Sequence, residues 1–289
     1  MRNFCRLYMC DSRKILKEYE NQVNLIMTSP PYADARKEQY GGVSPEEFPE
    51  WFATFHESFW NALTDDGSLV INIKDKVVDG VRNRYVWKTI EKLSDLGWKC
   101  IDDFIWNKTN PVPGYWPSRL CDGWEYCFHL SKTTRPFFNA QNVAVPIGEW
   151  AKTYDFSKAD GKSYSSNNSG YTQNRKSYEN KETILPSNVI TLGVSGSKIH
   201  PAVFPLGLPT FFIKLLCPEN GLVVDPFGGS GTTAVAALNE NRNVVAIDCK
   251  KEYHVLMVEN VRNRAENGGN IDLEFFPPIE KSFDFMESV

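Results

Sequence analysis

Short apolar runs alternate with longer amphipathic stretches along most of this chain. Asn3 to Met9, Val23 to Thr28, Ser68 to Ile73, Lys99 to Trp106, Leu222 to Val224 and Val244 to Asp248 are too short for helices, and they predict strands. Between them, Asp11-Ser12 reads as a turn and cap for a helix through about Tyr19. Ser44-Pro45-Glu46-Glu47 is a helix start, with serine at the cap, proline at the first position and Glu47 closing a capping box. The helix it opens carries Phe48, Trp51, Phe52, Phe55, Phe59, Trp60 and Leu63, an aromatic stripe at helical spacing that predicts core packing. Further helices are expected near Val86 to Leu96, from about Pro209 to Cys217, and up to about Glu240. Strands alternating with helices predict an α/β fold: a doubly wound, mainly parallel sheet covered on both faces.

Two strands end in unusual turns. Val23 to Thr28 runs into Ser29-Pro30-Pro31-Tyr32, where two residues without an N–H leave carbonyl oxygens as the groups on offer. With the Ser29 hydroxyl as another acceptor and Tyr32 as a flat face, the turn suits a planar ring carrying an amino group. The plainer alternative is a Pro-Pro turn with a buried tyrosine. The second turn is Asp225-Pro226-Phe227-Gly228-Gly229-Ser230-Gly231-Thr232-Thr233, leading into a helix. Its glycines let backbone approach a ligand at the helix start. Asp248, at the end of the next strand, is placed to accept hydrogen bonds from a ribose diol, its side chain facing ligand. The string is not G-x-G-x-x-G, which counts against a dinucleotide.

The first turn resembles the catalytic motif of amino-methyltransferases acting on DNA bases, in its serine form. In that family the serine form mostly methylates the exocyclic N4 of cytosine and the aspartate form N6 of adenine. The second turn resembles the same family's S-adenosyl-L-methionine (AdoMet) loop. The catalytic motif precedes the cofactor loop, which is the family's circularly permuted order. The resemblance implies that Ser29, Pro30, Pro31 and Tyr32 are catalytic, and that Asp225, Phe227, Gly229, Ser230, Gly231, Thr232 and Asp248 hold AdoMet. Lys198, His200 and Pro201 resemble the segment before the cofactor loop and join that set, although a lone histidine is more often structural. Closing the permuted sheet brings the N-terminal strand beside Asp248 and Asp11 beside the cofactor's adenine; locally Asp11 needs no role beyond the helix cap. Ile105-Trp106-Asn107-Lys108 resembles a segment lining the base pocket, and Glu125 to His129 the strand after it. Dimers occur in this permuted class, so a homodimer is compatible with the resemblance.

The implied organisation is a catalytic half over 1–131, an inserted target-recognition region over 132–195, an AdoMet-binding half over 196–265 and a tail over 266–289. Between Lys132 and Glu182 serine, asparagine, tyrosine and lysine dominate, with eight Lys or Arg against five Asp or Glu. Interleaved Trp150, Tyr154, Tyr164, Tyr171 and Tyr178 suit phosphate contact and base stacking; a solvated loop is the competing reading. Arg36 to Val43, polar and glycine-containing, reads as a lid. The net charge of −4 over 289 residues means that any DNA-binding surface is local. The seven cysteines include no Cys-x-x-Cys pair, which predicts no zinc site and reduced thiols in an intracellular protein. No apolar run reaches membrane-spanning length and no secretory pattern opens the chain.

The expected activity is therefore methyl transfer from AdoMet to the N4 amine of a flipped-out cytosine in DNA, with N6-adenine methylation as the alternative and a non-catalytic DNA-binding relative as the third reading. A cytosine-C5 enzyme would need a cysteine nucleophile, typically in a Pro-Cys pair, and only Cys217-Pro218 is present.

Overall fold

Nine strands form one sheet in the computed structural model, which describes residues 3–33, 42–111, 113, 117–148, 155, 157, 164–165, 172–173, 178–194, 204–265 and 272–277. They are β1 (Phe4–Tyr8), β2 (Val23–Thr28), β3 (Leu63–Ile73), β4 (Lys99–Lys108), β5 (Trp124–Ser131), β6 (Val189–Leu192), β7 (Leu222–Asp225), β8 (Asn243–Ile247) and β9 (Asp272–Phe276). Their order across the sheet is β6-β4-β5-β3-β2-β7-β8-β1-β9. Only β5 runs against its neighbours; the other pairings are parallel.

The helices are α1 (Ser12–Ile15, continued by a 3-10 turn over Leu16–Tyr19), α2 (Phe48–Ala53), α3 (His56–Ala62), α4 (Tyr85–Asp95), α5 (Gly207–Leu216), α6 (Thr232–Asn239) and α7 (Lys251–Ala265). The predicted capping box forms: Glu47 N donates to Ser44 Oγ at 3.2 Å, and Ser44 N to Glu47 Oε2 at 3.4 Å. The single helix expected beyond it is two. Thr54 Oγ1 bonds back to Trp51 O at 2.7 Å, and the backbone of Thr54 and Phe55 closes three-residue turns there, which ends α2.

The aromatic stripe is core, as predicted. Phe48, Phe52, Phe55 and Phe59 are buried and share one cluster with Ile26 of β2, Ile71 of β3, Val224 of β7 and Ile247 of β8. Alternate residues of the same strands, Leu25, Met27, Val223 and Ala246, are also buried but lie outside that cluster, because successive strand residues point to opposite faces. α5 and α6 pack on those strands and on one another, so helices cover both faces of the sheet.

Residues Ala140–Ser187 form a separate compact unit. Its described parts are a 3-10 turn over Ala140–Val143 and two short antiparallel ribbons, Val145–Pro146 with Thr183–Ile184 and Tyr164–Ser165 with Thr172–Gln173. β6, within the 132–195 stretch, lies outside that unit and belongs to the main sheet, with Val189 opposite Ile105 and Leu192 opposite Lys108.

The tail also contributes. β9 extends the sheet beyond β1, Tyr8 stacks on Phe276 at 4.3 Å, and Arg6 pairs with Glu274 at 3.0 Å. Residues 36–41 of the predicted lid lie outside the described residues. No helix among the described residues is long and apolar enough to cross a membrane, and all seven cysteines are free.

Candidate active site

The parallel run β2-β7-β8-β1 brings four carboxyl ends to one edge of the sheet, where an open α/β fold keeps its ligand crevice. Ile26 is opposite Val224, Val224 opposite Val245, and Ile247 opposite Tyr8. Ser29, Asp225, Asp248 and Asp11 follow from that register on neighbouring strand ends. The permuted closure expected from the sequence is therefore present, and Asp248 N donates to Tyr8 O at 3.1 Å across it.

Asp225 joins the two motifs. Thr28 Oγ1 donates to its Oδ1 at 2.8 Å, Thr233 Oγ1 to its Oδ2 at 2.6 Å, and Phe227 N to Oδ1 at 3.1 Å. With 2% of its surface exposed, this carboxylate lies behind the loop and is committed to internal bonds. Burial outweighs those three donors and pushes its pKa up to about 6.

The loop folds over it. Gly228 N donates to Ile247 O at 2.7 Å and Gly231 N to Gly228 O at 2.8 Å. Gly231 has φ of 80° and a Cβ there would meet Met257 Cγ at 2.8 Å, so both conformation and space require glycine. Ser230 and Thr232 pair their hydroxyls at 3.1 Å, and Asn260 Nδ2 holds Ser230 O at 2.9 Å. Phe227 packs its ring on Phe55 and Trp51, with centroids 5.0 and 6.0 Å away.

Asp248 differs from its sequence reading. The side chain was expected to face ligand, but Oδ2 accepts from Gly229 N at 2.9 Å and Oδ1 from Lys250 N at 2.8 Å, with 6% of the residue exposed. It shapes the loop as well as ending the strand. Burial, opposed by those two amides, pushes its pKa up to about 6.

Asp11 caps α1, accepting from Arg13 N at 2.9 Å, and is clamped by Arg13 Nη2 at 2.6 Å. Burial works against its charge, but the Arg13 bonds prevail and hold its pKa below the usual range. Cap and crevice-edge positions coincide here. Lys198, His200 and Pro201 lie outside the described residues.

On the catalytic side Ser29, Pro31 and Tyr32 are half-buried and Pro30 is buried. Ser29 Oγ lies 3.5 Å from Tyr32 Oη, and Tyr32 Oη donates to Glu125 Oε2 at 2.7 Å. Burial first, then the neighbouring Glu125, holds the Tyr32 phenol well above its ordinary pKa. Glu125 in turn meets Lys108 Nζ at 2.6 Å. The sequence reading placed Glu125 on a strand but missed it as a site residue. The available signal was a carboxylate inside the otherwise apolar run Trp124 to Phe128.

The donor set fits a nucleoside: carboxylates on adjacent strand ends, a glycine turn at a helix start, and a half-exposed aromatic ring. Fold and crevice together define an enzyme of the AdoMet-dependent methyltransferase type. A family profile described as DNA methylase matches residues 23–259, and the chain belongs to that family of N4- and N6-acting DNA methylases. It is similar to the type II methyltransferase M.PvuII of Proteus hauseri, 29% identical over 92% of this chain and 90% of the relative. M.SmaI of Serratia marcescens is 25% identical over 90% and 91%. Among solved structures, PvuII DNA methyltransferase (cytosine-N4-specific) superposes with a TM-score of 0.66 at 25% identity, covering 94% of this chain and 96% of that one. The M1.HpyAVI–SAM complex has a TM-score of 0.57 at 22% identity, covering 89% and 99%, and shares the fold. The family's methyl donor is S-adenosyl-L-methionine.

Proposed function

We propose that this chain methylates the exocyclic N4 of cytosine in DNA. The observation that carries the reading is Ser29-Pro30-Pro31-Tyr32 at the carboxyl end of β2, tied through Thr28 and Asp225 to the glycine loop of β7. Support for cytosine comes from Ser29 itself and from the cytosine-N4-specific enzyme among the similar structures. AdoMet, when bound, supplies an electrophilic methyl group.

The chain's residues act on the base. An exocyclic amine is a weak nucleophile because its lone pair is delocalised into the ring. Ser29 Oγ and the Pro30 carbonyl accept its two hydrogens, favouring a pyramidal nitrogen with that lone pair freed, and Tyr32 stacks on a ring flipped out of the duplex. Alignment and electrostatics then carry most of the rate. On the cofactor side we assign Asp248 to the ribose, Asp11 to the adenine edge, and Phe227 with Gly229 to Thr232 to the loop wall. Asp225 holds that wall to β2.

Digesting methylated DNA to nucleosides and identifying the product by mass spectrometry tests the reading, with N4-methylcytosine expected. Methyl groups on adenine alone would assign the chain to the N6 branch.

Asp248→Ala is expected to weaken AdoMet binding by about 1 to 3 kcal/mol, the range for a bound polar group deprived of its partner. It should also lower folding stability by about 1 to 2 kcal/mol, because the Gly229 and Lys250 amides lose their acceptor. Calorimetric titration and urea unfolding separate the two effects. Lower stability with unchanged AdoMet affinity would remove Asp248 from the ribose site.

A further inference from the structure

The Lys108–Glu125 pair lies at the end of β4 and the start of β5. Antiparallel register sets Trp106 opposite Glu125, and Lys108, two residues beyond Trp106, points to the same face. Side-chain exposures are 10% for Lys108 and 7% for Glu125, and their charged atoms are 2.6 Å apart. Lys108 Nζ also lies 4.9 Å from the Trp106 ring centre. The second oxygen of Glu125 takes the Tyr32 hydroxyl at 2.7 Å.

A buried ion pair is a weak source of stability, since desolvating both charges offsets most of their attraction and apolar residues of the same volume do as well. What this pair does that an apolar pair cannot is present a fixed acceptor to Tyr32. The ammonium orients the carboxylate, the carboxylate holds the phenol, and the phenol ring is the face on which the target base stacks. A tyrosine tethered at its far end has its ring tilt set before DNA arrives, which removes an ordering cost from base capture.

We infer that Lys108 and Glu125 are positioning residues for base capture, acting on the flipped base through the Tyr32 hydroxyl and not on AdoMet. This rests on the base-methylation reading above and names the residues that set its stacking face.

The test uses two double variants in the full chain. Lys108→Met/Glu125→Leu replaces the pair by apolar residues. It should fold at least as stably and bind AdoMet as the wild type does, yet lose about ten- to a hundredfold in kcat/KM for DNA, the scale of a misplaced contact. Lys108→Met/Glu125→Gln also removes both charges but keeps an amide oxygen for the phenol, and should recover to within about threefold of wild type. In a Tyr32→Phe background the two double variants should be equivalent, because the hydroxyl through which they act is gone.

Equal activity of the two double variants with Tyr32 present would overturn the inference. So would a difference between them that persists in Tyr32→Phe. Tyrosine-ring 13C NMR, with the Tyr32 signal assigned by its loss in Tyr32→Phe, reads the tether without DNA. Its ring-carbon shift should move in Lys108→Met/Glu125→Leu and be largely recovered in Lys108→Met/Glu125→Gln, because only the second keeps an acceptor for the hydroxyl, and a wild-type shift in both overturns the inference too. Wild-type chain that methylates no DNA, with the NMR shift intact, would instead count against the base-methylation reading and leave the tether standing.

Discussion

Ser29→Ala should slow methyl transfer by roughly ten- to a thousandfold, the cost of losing one hydrogen bond aimed at the transition state, while AdoMet binds as before. The split follows from position. The bonds that join β2 to the cofactor loop come from Thr28 to Asp225 and from Phe227 and Thr233 to the same carboxylate, and the Ser29 hydroxyl takes no part in them. Its neighbour at 3.5 Å is the Tyr32 hydroxyl, which Glu125 already holds. Removing Oγ therefore subtracts an acceptor from the crevice and leaves its walls standing. Single-turnover methylation beside calorimetric AdoMet binding checks this. A rate within threefold of wild type would show that Ser29 is not the amine's acceptor, and a parallel loss of AdoMet affinity would show that it acts on the loop.

The two turns were legible because each is contiguous in sequence and each departs from what a strand end needs. Proline pairs and glycine clusters are local rules, readable without the rest of the chain. The order of the turns, and the acid Asp248 at the end of the strand after the glycine turn, then settled which strands had to be neighbours. The pairing of β8 with β1 bears out that step.

What was not legible depends on partners distant in sequence. Glu125 reads as one acid in a strand, and only the register of β4 with β5 and the approach of Tyr32 give it a function. β9, Asp-Leu-Glu-Phe-Phe, is a short run of mixed residues, and becomes a strand by pairing with β1 at the other end of the chain. β6 was absorbed into the insertion for the same reason: Val189–Leu192 is too short to declare itself, and β4 supplies its hydrogen bonds. The break between α2 and α3 hangs on one Thr54 back-bond inside a stripe whose aromatic spacing is continuous.

The same distinction between wall and crevice makes Asp225 the position of largest expected effect on stability. Asp225→Ala leaves the Thr28 and Thr233 hydroxyls and the Phe227 amide without their acceptor in a buried site, a cost of about 2 to 4 kcal/mol in the range for orphaned polar groups. AdoMet affinity should fall with it, because the loop loses its anchor to β2. Asp225→Asn keeps one oxygen for Thr28 and Phe227 and should cost less at neutral pH, which separates the hydrogen bonds from the charge. The charge has its own mark. Burial holds the wild-type carboxyl up at about 6, above its ordinary 3.8, so between roughly pH 4 and 6 the folded chain keeps a proton that the unfolded chain has released. The stability conferred by that proton is present in acid and lost as pH rises through the folded value. Asp225→Asn cannot ionise and should flatten this part of the profile. The difference between the two curves isolates Asp225 from Asp248, whose carboxyl is raised in the same direction. Urea unfolding from pH 4 to pH 7 would decide it: if wild type and Asp225→Asn lose stability in parallel across that range, the buried carboxylate is not the group that titrates.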